Sequence, residues 1–101
     1  MRMDPKNKSG YVGRRCVVSG RVQGVYYRAS AQQRALQLGV FGHARNRLDG
    51  TVEVLAYGEQ QAVFEFIEWL KIGPSAAKVA QVVVEVVELD STALVRGFKT
   101  S

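Results

Sequence analysis

Long apolar runs are missing from this sequence. None approaches the roughly 20 residues that a membrane-spanning helix requires, so no membrane partner is expected. A lone cysteine, Cys16, leaves no partner for an internal disulfide, and a reducing cytoplasm is the expected compartment. His43 is the single histidine, and the nine acids do not gather at metal-ligand spacing, so no metal or other cofactor is expected. A serine–histidine–aspartate set is absent as well. No apolar segment follows the first six residues, which argues against a secretory leader. Acids are the scarcer charge, nine against fourteen Lys and Arg, for a net +5. The basic excess is dispersed and not gathered into a nucleic-acid stripe. Lys6, Lys8, Arg14 and Arg15 stand near the start, while Arg21, Arg28, Arg45 and Arg47 flank two motifs. Such a balance suits an anionic ligand, including one as small as phosphate.

What is present has an ordinary globular composition, 47% hydrophobic and 23% charged over 101 residues, which fits one domain. Residues 1–14 mix Pro, Asn, Ser, Gly and Lys without period and read as a flexible basic tail, with the domain over 15–101. A β-rich run at 15–19 is followed by a helical pattern at 27–38, with Tyr27, Ala31, Ala35 and Leu38 on one side. Gly39 is placed to end that helix. Strands follow at 40–46 and 51–57, joined by the turn Arg47-Leu48-Asp49-Gly50. In the second of them Val52, Val54 and Ala56 alternate with Thr51, Glu53 and Leu55. A second helix, 59–71, aligns Val63, Phe66, Ile67 and Leu70. Strands at 79–88, with Val82, Val84 and Val86 on one face, and at 92–99 complete the chain. The order predicts an α+β, ferredoxin-like βαββαβ sandwich. It has an antiparallel sheet, two helices on one face and a short fifth edge strand.

The stretch Gly20-Arg21-Val22-Gln23-Gly24-Val25-Tyr26-Tyr27-Arg28 leaves a strand and enters a helix. The first turn of a helix has unpaired N–H groups, and Gly20 and Gly24 let the backbone curl so that successive N–H groups face inward. The positive end of the helix dipole adds to that. Arg28 can close its fork on two oxygens of a phosphate. On pattern alone a glycine-bearing connection with a surface arginine is the favoured reading, since Gly-x-x-x-Gly by itself is a weak signal. No Gly-Lys-Ser/Thr follows, so this is not a nucleotide P-loop. Cys16 sits inside the strand, as a small core residue, and not at the head of a phosphatase loop. Asn46, before the turn, is either a turn-former or an amide able to hold a water by donating and accepting. The run at 40–46 is expected beside the first strand, which brings Asn46 near the loop.

Three segments together resemble acylphosphatases: GRVQGVYYR at 20–28, GHARNRLDGTVEV at 42–54 and YGEQQAVFEFIEWLKIGPSAAKV at 57–79. The resemblance spans 15–101. It implies hydrolysis of the carboxyl–phosphate bond of small-molecule acyl phosphates, giving a carboxylate and inorganic phosphate, without metal or covalent intermediate. It also implies that the N–H groups of Val22, Gln23, Gly24, Val25, Tyr26 and Tyr27, with Arg28, hold the phosphate, and that Asn46 orients the water. Tyr27 stands where the family usually has Phe, which predicts extra hydroxyls at the cradle, and Arg47 adds a cation at the mouth. The rival is a non-catalytic phosphate- or nucleic-acid-binding module of the same fold. Its RNA-binding form needs aromatics on the open sheet face in an RNP pattern, which residues 51–57 do not match, and Glu53 would repel phosphates. No nucleic acid is therefore expected, and a monomer is.

Overall fold

The computed structural model describes residues 10–90 and 92–101. The elements run β1 (Tyr11–Arg21), α1 (Tyr27–Leu38), β2 (Phe41–Asn46), β3 (Val52–Glu59), α2 (Gln60–Leu70), β4 (Lys78–Val87) and β5 (Phe98–Thr100). They form the expected ferredoxin-like α+β sandwich, with one sheet in the order β4-β1-β3-β2-β5. β5 pairs parallel to β2 through Gly42 and Phe98, so the sheet is mixed and not wholly antiparallel.

The core lies between the sheet and the two helices. Cys16, Val18, Val52, Val54, Ala56 and Ala44 face inward from the strands and are fully buried. α1 meets them with Tyr27, Ala31 and Ala35, and α2 with Val63, Phe66, Ile67 and Leu70. The α1 stripe repeats every four residues and the α2 stripe at three and four, as an amphipathic helix requires. The alanines of α1 keep that helix close to the sheet. α1 ends at Gly39, where the Val40 N–H bonds to Ala35 O at 2.8 Å and the Gly39 N–H to Leu36 O.

Four expectations are corrected. β1 begins at Tyr11, because Tyr11 to Arg14 pair with Glu59 to Ala56 of β3. The expected tail therefore loses residues 11–14 to the sheet, and its first nine lie outside the described residues. β2 does not lie beside β1, since β3 separates them. The run at 92–99 is mostly not a strand. The Asp90 carboxylate accepts from the Thr92 N–H (3.0 Å) and hydroxyl (2.6 Å), and this turn leads into a short 3-10 turn, Ala93–Val95, leaving only Phe98–Thr100 extended. Of the three valines expected on one face of β4, only Val82 packs against the core, beside Val79, while Val84 and Val86 are exposed, because β4 is an edge that the helices do not cover.

On the open face Glu53 is only 5% exposed. Its carboxylate accepts from Arg15 Nε and Arg45 Nε, each at 2.7 Å. His43 Nε2 lies 3.7 Å away. The charge expected to repel phosphates is thus compensated on both sides.

Candidate active site

The loop over residues 22–26 is shaped by where its side chains go. Val22 is buried in the core, and Val25 packs against it. The Gln23 amide reaches the other way, to the β2–β3 turn. Two residues carry positive φ, Gly24 at 73° and Tyr26 at 64°, while Val25 between them does not. Alternating signs of φ are the backbone pattern of a nest, in which successive N–H groups can turn to one side. At Gly24 the conformation is strain-free. At Tyr26 it is an uncommon one for a residue with a side chain, and its ring stands 81% exposed at the mouth.

Among the described residues no protein acceptor takes an N–H from residues 22–26. Tyr26 is also the N-cap of α1, with no side-chain cap and no acid in the first turn. The helix therefore begins with unpaired amides and an uncompensated positive end. A cleft of about 370 Å³ opens here, lined by Val22, Gly24, Tyr26, Tyr27, Arg28 and Thr100, among others, with no acid in its wall. Arg28, half-buried in the first turn of α1, donates from Nη1 to the backbone carbonyl oxygen of Ser101.

The two glycines divide the work differently from the expectation. A Cβ on Gly20 would stand 2.2 Å from Lys78 O and 2.6 Å from Ala80 N. Gly20 thus makes room for the bulge where the β1–β4 register shifts between Ser19 and Gly20. Only Gly24 belongs to the nest, and a Cβ there would meet open space.

Tyr27 also departs from expectation. Its side chain is buried, and its hydroxyl donates to Leu70 O at 2.7 Å, at the end of α2. Burial, with a smaller effect from Cys16, pushes its phenol well above the ordinary range. The hydroxyl is therefore turned away from the cleft, and Tyr27 adds none to it. Burial likewise pushes the Cys16 thiol up to about 11, so it stays protonated and inert.

Asn46 closes β2 opposite Val52, on the helix side of the sheet, two residues beyond the buried Ala44. It does not line the cleft. It lies exposed in a neighbouring depression with Arg45, Arg47, Leu48 and Asp49. Asp49 is committed to the turn, accepting from the Thr51 N–H at 3.0 Å and its hydroxyl at 2.6 Å. Those bonds hold its carboxyl below the usual range. Gln23 links the two places: its Nε2 donates to Arg47 O at 2.8 Å and Thr51 O at 3.0 Å. Sequence reasoning counted Gln23 only for its backbone N–H, and it assigned Thr100 and Ser101 no place at the site. Nothing local marks those contacts, which join residues 24 or more positions apart. Among the described residues no three His, Cys, Asp or Glu side chains stand together as metal ligands.

The family model of acylphosphatase matches residues 14–100. The chain belongs to the acylphosphatase family. An acylphosphatase of Halorhodospira halophila is 56% identical over 71 residues, 70% of this chain and 77% of the relative. One of Hahella chejuensis is 51% identical over 85 residues, covering 84% of this chain and 88% of its own length. The solved acylphosphatase of Coxiella burnetii aligns with a TM-score of 0.87 at 30% identity, over 97% of this chain and 100% of that one. The acylphosphatase of Bacillus subtilis gives 0.83 at 33% identity, over 89% and 98%. The expected fold and the expected enzyme class of acylphosphatase both hold. No helix among the described residues is long and apolar enough to cross a membrane.

Proposed function

We propose that this acylphosphatase-family chain hydrolyses the carboxyl–phosphate bond of small acyl phosphates in the cleft at the start of α1. The phosphate is held by the N–H groups of residues 22–27 and by Arg28. Asn46 orients the attacking water. The observation that carries this reading is the run of unclaimed amides beside Arg28, in a cleft whose wall has no acid. Preorganised N–H dipoles and a guanidinium stabilise charge on the phosphoryl oxygens as it shifts in the transition state.

The chemistry asks for little more. The water oxygen attacks phosphorus in line, and the bond from phosphorus to the acyl oxygen breaks with its electron pair. The leaving group is a carboxylate, whose conjugate acid has a pKa of about 4, so it departs without a proton. The water's proton passes to a phosphoryl oxygen of the substrate. Asn46 has no titratable group and acts by orientation alone. A phosphate monoester would instead have to expel an alkoxide, for which this cleft offers no acid.

Benzoyl phosphate hydrolysis tests the reading. Arg28→Ala is expected to weaken inhibition by inorganic phosphate and to abolish turnover together. Asn46→Ala is expected to lower kcat by about 10²–10³, the loss typical of one transition-state hydrogen bond, while phosphate still binds. EDTA is expected to leave the rate unchanged. Phosphate binding without benzoyl phosphate turnover in the wild-type chain would make it a binding module instead.

A further inference from the structure

We propose that the Gln23 side chain is a positioning strut that sets the distance between the anion cradle and the end of β2, where Asn46 stands. The proposal rests on the reading of Asn46 as the water holder. It begins from the sheet order. β1 leads into the cradle and β2 ends at Asn46, yet β3 lies between them. No ladder hydrogen bond can therefore tie the loop after β1 to the end of β2. Gln23 spans that gap. Both hydrogens of a carboxamide NH₂ are available to separate acceptors, and here they go to Arg47 O at 2.8 Å and Thr51 O at 3.0 Å. Arg47 is the residue after Asn46, and Thr51 precedes Val52, the cross-strand partner of Asn46.

The turn does not need Gln23 for its own closure. Arg47 N–H already bonds to Thr51 O at 2.8 Å, and Gly50 N–H to Arg47 O at 3.1 Å. Asp49 adds its two bonds to Thr51. What Gln23 supplies is the cross-link to the loop. Asn46 itself is exposed at the end of β2, and the bonds of its own hairpin fix it to β3 but not to the loop after β1. A water aimed at phosphorus tolerates little displacement, and a misplacement of about 1 Å can cost roughly 10² in rate. The strut therefore acts on the alignment of the water and not on the hold on phosphate, because the cradle amides belong to the backbone and Arg28 sits on α1.

The test is a double-mutant cycle on the full chain, with benzoyl phosphate as substrate and inorganic phosphate as inhibitor. Gln23→Met keeps the length and the backbone N–H and removes both donors. It is expected to lower kcat by about 10–100-fold, with the inhibition constant of phosphate little changed. Combined with Asn46→Ala, it is expected to cost no more kcat than Asn46→Ala alone, since both act through one water. Normal kcat in Gln23→Met, a parallel loss of phosphate affinity, or losses that multiply in the double variant would each overturn the strut. A near-normal kcat in Asn46→Ala would strike at the water-holding reading. In the wild-type chain, side-chain amide hydrogen exchange by NMR tests the strut independently, even if Gln23→Met fails to fold. The Gln23 NH₂ is expected to exchange far more slowly than that of the exposed Gln81. Equal rates would show that the bonds to Arg47 and Thr51 do not persist.

Discussion

Tyr27 serves two elements at once. Its backbone opens α1 at the cradle, and its hydroxyl, deep in the core, bonds to the carbonyl that ends α2. Removing the hydroxyl would leave Leu70 O buried without that partner, a loss of about 1–2 kcal/mol. Tyr27→Phe is therefore expected to lower unfolding stability by that amount and to leave kcat unchanged. Urea denaturation and the hydrolysis assay read the two effects. A fall in kcat with stability intact would return the hydroxyl to the cradle. The sequence placed Tyr27 correctly on the buried side of a helix, because the repeat of Tyr27, Ala31 and Ala35 is local. Where its hydroxyl goes depends on Leu70, 43 residues away, and no local pattern carries that.

Elements show the same division. Both helices were legible because their buried stripes and terminating glycines lie within a few turns of chain. The final strand was misread because the apolar content of residues 92–99 outweighed a short Asp-x-Thr signal. The same signal closes the turn at Asp49 and Thr51. The loop between β1 and α1 was recognised, but Gly20 was grouped with Gly24. Their substitutions separate them. Gly20→Ala drives a Cβ into Lys78 O and Ala80 N, backbone atoms that yield only if the β1–β4 bulge is undone. A loss of about 3 kcal/mol or more is expected, at the upper end for point substitutions. Gly24→Ala meets no atom and incurs only the positive-φ cost of about 1–2 kcal/mol. Denaturation midpoints decide this, and equal losses would remove the bulge from the account.

Across the whole molecule, Glu53 ties β3 to β1 and β2, and Arg15 extends the network to Glu85 on β4 at 3.0 Å. Burial alone would raise the Glu53 carboxyl. The bonds and charges of Arg15 and Arg45 outweigh it and hold the group below its ordinary 4.5. A carboxyl depressed in the folded state contributes stability above its unfolded pKa and loses it as pH falls through the folded value. Stability is therefore expected to decline as pH is taken below 4.5. Asp49 and Asp90, lowered chiefly by their threonine hydroxyls, contribute in the same direction. Glu53→Gln is expected to be less stable near neutral pH and to show a shallower acid limb. Denaturation at stepped pH checks this, and an unchanged limb would mean that the network does not couple to folding.

The amino-acid sequence by itself determined the two helices, the β-α-β-β-α-β succession along the chain and the glycine-bearing entry to a helix with no acid to cap it. Each of these depends on residues close together along the chain. The tertiary structure alone decided which partner each polar side chain meets: Gln23 the turn beyond β3, Arg28 the carbonyl of Ser101, and Glu53 a pair of arginines. Those partners are set by which strands lie side by side, and that is a property of the assembled sheet.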